Sequence, residues 1–196
     1  MPRNDEYYSR YEDLCNEVGR AYCAVHVLDF LNRVQNVKFN SDDYRYKIID
    51  YLNYLSKQDL CLTVWKIYFD ESTKANTVKR LHEYLHSIGV EKKIKLKLSP
   101  ETKQIRESVN NMRKKYIAHL DVDRDDQSVN MELLTKAFLE IVKMLKGLYD
   151  PSIDDRVKEI SELTISVENF KTNIGLTAIT KELRIENGES ENNAGH

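Results

Sequence analysis

Turn-forming residues are scarce: the 196 residues include six glycines and three prolines. That is too few for a sandwich or barrel with many tight turns, or for a doubly wound sheet with glycine loops. Cysteine is scarcer still. Cys15, Cys23 and Cys61 are odd in number, widely spaced and form no CxxC pair. They indicate neither a disulfide framework nor a cysteine-rich zinc site, and they fit a reducing cytosol. No apolar run approaches the roughly 18 residues of a membrane span, and the opening MPRNDEYYSRYED lacks the apolar core of a secretory signal. The expectation is a soluble, cytoplasmic protein with no membrane segment. Neither sign of charge dominates, since 30 Lys and Arg face 32 Asp and Glu for a net charge of −2. A wholly basic nucleic-acid coat is excluded, and 41% hydrophobic residues exclude a fully disordered chain.

What is present is helical periodicity. Tyr7, Tyr11, Leu14, Val18, Tyr22, Val25, Leu28 and Leu31 recur at steps of three and four, predicting a long first helix that ends near Asn40. Ser41 and Asp42 suit the N-cap of a second segment. Its stripe of Ile48, Tyr51, Leu52, Leu55, Leu62, Trp65 and Phe69 runs to about Asp70, as one helix or as two with a bend near Lys57 to Asp59. Val78, Leu81, Leu85 and Ile88 mark a short third helix closed by Gly89. VEKKIKLKLS alternates like a strand but reads as a basic linker, because Ser99 and Pro100 then open a helix in the N-cap and N1 manner. That fourth helix carries Ile105, Val109, Met112, Tyr116 and His119 and breaks in the acidic LDVDRDDQS. A fifth spans about Asn130 to Tyr149. A last one is predicted to begin between Ser152 and Asp155, with Val157, Ile160, Leu163, Val167 and Phe170 inward. The fold class is therefore all-α, an up-and-down bundle of about five to six helices in a single domain over 1–185. Residues 186–196 form an acidic tail without large apolar residues, expected to be disordered.

Charge is concentrated in one segment. From Glu91 to Lys115 there are nine Lys and Arg against three Glu, a local +6. A basic surface on a mildly acidic protein suits phosphate, because neutralising each phosphate releases counterions. Within it, RKKYIAHLD sets Arg113 six positions before His119. Arginine stays charged and can fork two hydrogen bonds onto a phosphate, whereas histidine moves a proton near neutral pH. Together they suit RNA cleavage by the ribose 2′-hydroxyl with no metal required. On a regular helix the two side chains point about 120° apart and about 9 Å along the axis. They converge only if the helix unwinds at Ile117 to His119, or if a two-fold dimer brings two copies together. Arg20 to His26 and Arg80 to His86 repeat the spacing, but only the third pair lies in the basic segment.

The R-x5-H motif in RKKYIAHLD and the stretch LTVWKIYFDESTKANTVKRLHEYL resemble the HEPN superfamily (higher eukaryotes and prokaryotes nucleotide-binding), especially its abortive-infection AbiU-like branch. The resemblance covers roughly residues 10 to 150. It implies a four- to five-helix bundle, commonly a homodimer, with no cofactor. It also implies a metal-independent endoribonuclease of a phage-defence or toxin–antitoxin system, restrained by an antitoxin or another defence-system protein. On that resemblance Arg113 and His119 are the catalytic pair; the basic segment around them offers Lys103, Arg106, Asn110, Lys114 and Lys115 as the residues expected to bind RNA phosphate. The chain departs from the pattern at Lys114, where many active members carry Asn, Asp or His. It departs again at Asp121, where the branch partnered by a nucleotidyltransferase carries Tyr. The alternative is a catalytically silent HEPN-like dimerisation or interaction module.

A competing motif is HEYLH, where His82, Glu83 and His86 have the spacing of a zinc hydrolase. Arg80 precedes it, and no third ligand with a matching motif can be assigned, so a structural role beside the Leu81 and Leu85 stripe is the simpler reading. The twelve tyrosines are read mainly as core residues whose hydroxyls reach the rim. Exposed ones would stack on RNA bases.

Overall fold

The computed structural model describes residues 3–34, 44–118 and 129–160, at 32–34, 44–46 and 115–118 by backbone alone. No strand occurs among the described residues, and the chain is all-helical as its periodicity predicts. Helix α1 (Asp5–Val34) is about 45 Å long. Helix α2 (Tyr44–Val64) returns along it. The antiparallel pairing shows in Arg20 Nε, 3.1 Å from Asp59 Oδ1, and in the Lys66–Glu17 ion pair one turn on. Helix α3 (Val78–Ser87) is capped by the Thr77 hydroxyl and stopped at Gly89, whose φ of +80° favours glycine. A one-turn α4 (Pro100–Lys103) precedes α5 (Ile105–Ala118) and α6 (Met131–Gly147).

The core forms where the predicted stripes meet. Tyr7, Tyr11, Leu14 and Val18 of α1, Leu60 and Val64 of α2, and Leu134, Phe138, Ile141 and Leu145 of α6 are all but inaccessible. Each large side chain buried there stabilises the fold by about 1.5–3 kcal/mol. α6 lies antiparallel to α1: Phe138 meets the Tyr22 ring edge-on at 5.1 Å, and the Tyr7 hydroxyl donates to Leu148 O at 2.9 Å. Between α3 and α4 the chain from Val90 to Leu98 is an extended strap. Its alternation is real, with Ile94, Leu96 and Leu98 turned inward and Lys93, Lys95 and Lys97 exposed. It pairs with no strand among the described residues: Tyr68 Oη donates to Leu96 O and accepts from Leu98 N, and Ile94 N donates to Lys92 O within the strap. Gly147 lets the strap approach, since a Cβ there would lie 2.9 Å from Ile94 Cδ1.

Of the two forms open to the second segment, the single helix is found: α2 runs through Lys57 to Asp59 without a bend, and the winding changes only in a π-helical turn over Trp65–Phe69. Three expectations need correction. The first half of the α2 stripe is not core: Ile48, Tyr51, Leu52 and Leu55 are 53, 60, 40 and 38% exposed. α5 runs antiparallel to α2, with Arg106 at Glu71 and Arg113 at Trp65. Its described end is therefore level with the C-terminal third of α2, and this ridge lies beyond it. The fourth helix is interrupted at Gln104, between α4 and α5. No helix begins between Ser152 and Asp155, because the Asp150 and Asp154 carboxylates accept from the backbone N–H two residues on and hold turns instead. Helix resumes only at Ile160. The predicted end of α1 near Asn40, the caps at Ser41 and Asp42, the stripe from Leu163 and the tail over 186–196 lie outside the described residues.

Candidate nucleic-acid interface

α5 is two-faced. Ile105 and Val109 are buried in the core. One turn around, Lys103, Arg106, Glu107, Asn110, Arg113 and Lys114 follow one another at helical steps. The start of this face is held by Glu140 of α6, which accepts from Ser99 N and Ser99 Oγ, each at 2.8 Å, and from Thr102 Oγ1 at 2.9 Å. Burial pushes the Glu140 carboxyl up, but these hydrogen bonds outweigh it and hold the group below its ordinary range. Lys136 of α6 pairs with Glu101, fixing α4 a second time.

The opposite wall is the π turn. Its backbone is marked by Asp70 N donating to Trp65 O at 2.9 Å, a five-residue step. The extra residue in the turn lets Ile67, Tyr68 and Phe69 be buried in succession and leaves Trp65 half-buried beside α5. The Arg113 guanidinium carbon sits 4.5 Å from the Trp65 ring centroid, a cation–π contact. Arg113 Nε and Trp65 Nε1 are both buried there without a hydrogen-bond partner. Below them, Trp65, Lys103, Gln104, Arg106, Glu107 and Asn110 line an open groove of about 420 Å³. Arg106 Nη2 reaches Glu71 at 2.5 Å, an exposed pair worth little in water.

Of the expected phosphate ligands, Lys103, Arg106 and Asn110 are thus brought to one groove, and Arg113 stands at its upper end. Lys114 is exposed one residue further on. His119 and the Lys115 side chain lie outside the described residues. Trp65 has a role that its place on an apolar stripe did not disclose. Gln104 and Glu107 carry no motif, although Lys103, Glu107 and Asn110 stand at helical spacing in the sequence.

The other R-x5-H pairs are otherwise engaged or apart from the groove. Arg20 is tied to Glu17 and Asp59, and Arg80 and His86 belong to α3. His82 meets the Lys92 carbonyl at 3.1 Å and so holds the strap, while Glu83 and His86 are exposed. Among the described residues no three His, Cys, Asp or Glu are grouped to hold a metal ion. The tyrosines divide: Tyr7 and Tyr11 are core, whereas Tyr51 and Tyr54 are 60 and 52% exposed. Cys15, Cys23 and Cys61 are free thiols, and burial pushes Cys15 and Cys61 up to about 12.

No helix among the described residues is long and apolar enough to cross a membrane. Comparison with family models, curated proteins and solved structures finds no match for this chain.

Proposed function

We propose that this protein binds RNA along the basic face of α5 and cleaves it without a metal ion, as an endoribonuclease of the HEPN type acting in phage defence or as a toxin. The observation that carries the reading is Arg113 stacked on Trp65 at the head of a groove lined by Lys103, Arg106 and Asn110. In the reaction, the 2′-oxygen of a ribose bonds to the adjacent phosphorus and the 5′-oxygen leaves, giving a 2′,3′-cyclic phosphate and a 5′-hydroxyl. One proton leaves the 2′-hydroxyl and one reaches the departing oxygen. Arg113 neutralises the charge that builds on the phosphorus centre, and His119 moves a proton. In a homodimer, the histidines of two copies divide the base and acid roles between them.

The test is cleavage of total cellular RNA in excess EDTA by the purified protein, beside folded Arg113→Ala and His119→Ala variants of unchanged oligomeric state. Cutting that survives EDTA and vanishes in both variants is the expected result; cutting that EDTA abolishes sinks the reading.

A second reading keeps the dimer without the chemistry: a catalytically silent HEPN-like module. The ridge of Ile48, Tyr51, Leu52 and Leu55 is the kind of exposed apolar face that a second copy of the chain covers. In that case Ile48→Lys with Leu52→Glu yields a folded monomer by light scattering, and the unaltered protein cuts no RNA under any condition.

A further inference from the structure

Charge is not uniform within the groove, and its one carboxylate is informative. Lys103 and Arg106 suit a phosphate, but Glu107 beside them repels one. Glu107 is exposed on α5, and the groove also carries the carboxamides of Gln104 and Asn110 and part of the Trp65 indole. An aromatic surface, two carboxamides and a carboxylate are the parts of a nucleobase site, with stacking on one and edge recognition by the others.

The carboxylate narrows the choice of base. It is an acceptor with two oxygens side by side. Guanine alone among the four RNA bases presents two adjacent N–H donors, at N1 and N2, on its pairing edge; adenine, cytosine and uracil each present donors there at one position only. A carboxamide N–H then suits guanine O6.

We propose that the groove between the π turn and α5 is a subsite for a guanine nucleotide of single-stranded RNA, a specificity that rests on the RNA-binding reading of the same face. The base stacks on the part of Trp65 that Arg113 leaves uncovered. Glu107 accepts from N1–H and N2–H, Gln104 or Asn110 donates to O6, and Lys103 and Arg106 hold the adjoining phosphate. Arg113 lies seven residues beyond Arg106, about 10 Å along α5. The subsite therefore selects the sequence next to the phosphate that Arg113 engages.

Trp65 is the chain's only tryptophan, so its fluorescence reports on this site alone. The probes are four 2′-O-methyl tetranucleotides that differ only in carrying G, A, C or U at the second position among uridines. Binding of a labelled 2′-O-methyl 12-mer is followed separately by anisotropy. The expected result is quenching of Trp65 with about tenfold tighter binding of the guanine probe. Glu107→Gln, a change at an exposed position, removes that preference, so that the four probes bind alike. Trp65→Leu weakens the 12-mer by about tenfold, and Trp65→Phe restores most of it. Equal affinity for all four probes overturns the guanine assignment. A 12-mer that binds without changing Trp65 fluorescence overturns the subsite but leaves the RNA reading standing, and failure of the 12-mer to bind overturns both.

Discussion

Among the described residues, the base of the bundle and the groove both bury polar groups and treat them differently. At the base, where α1 begins, the fully buried Asp154 accepts from Asn4 N at 2.7 Å and from the Arg156 guanidinium at 2.6 Å. Beside it the Tyr7 hydroxyl donates to Leu148 O and accepts from Asp150 N. At the groove, Arg113 Nε and Trp65 Nε1 are equally buried but find no hydrogen-bond partner, and stack on each other instead. The network at the base ties the start of α1 to the turns after α6, whereas a buried donor left without an acceptor costs about 1–3 kcal/mol. The base fastens the fold, and the groove wall carries buried donors at a cost to it.

That contrast can be broken by exchange of symptoms. The largest effect is expected from Arg113→Ala, which lowers RNA cleavage at least about 100-fold while the thermal midpoint stays close to the parent value. A collapse of the fold with this change would put Arg113 in the same class as the base.

Tyr7→Phe should do the reverse. It strands Leu148 O and Asp150 N in a buried corner and costs about 2 kcal/mol in denaturant unfolding, with cleavage unchanged.

The base also predicts an acid limb. The Arg156 guanidinium beside Asp154 holds its carboxyl far below the usual carboxylate range, helped by the Arg156 and Asn4 backbone N–H groups. Asp150 is also held low: burial pushes it up, but Lys92 and Ser152 outweigh it. A carboxyl depressed in the folded state stabilises the fold above its unfolded value of about 4 and loses that contribution as pH falls below it. The thermal midpoint should be level down to about pH 5 and decline below about pH 4, and Asp154→Asn should lower the plateau and flatten the decline. A midpoint that rises on acidification would contradict the assignment.

The smallest effect calibrates the others at a position in neither region. Gly89 has φ +80°, so Gly89→Ala costs about 1 kcal/mol of unfolding free energy with no change in cleavage.

Local patterns were legible in the sequence wherever short-range physics decides the structure. The N-cap and N1 pair at Ser99 and Pro100, the glycine after α3, and the buried faces of α1 and α6 follow from side-chain spacing and backbone allowance alone. The exposure of the ridge at Ile48 to Leu55 was not legible, because an apolar stripe reveals a helix face but not what packs against it. The turns after Asp150 were missed because two aspartates outcompete a helix only with Asn4 and Arg156 beside them. For the interface, the basic residues of α5 could be named from the sequence. Their partner could not, since Trp65 reaches them through a change of winding that no residue of WKIYFD announces.

That change of winding has a consequence for how such a chain can vary. The π turn holds one residue more than an α-helical turn, and each residue of an α-helix turns it by about 100°. Deleting a single residue between Trp65 and Phe69 would rewind the turn and swing the indole away from α5, leaving every groove side chain in the sequence and dispersing the groove. Among chains related to this one, length at that point, counted in single residues, would separate those that keep the pocket from those that have given it up.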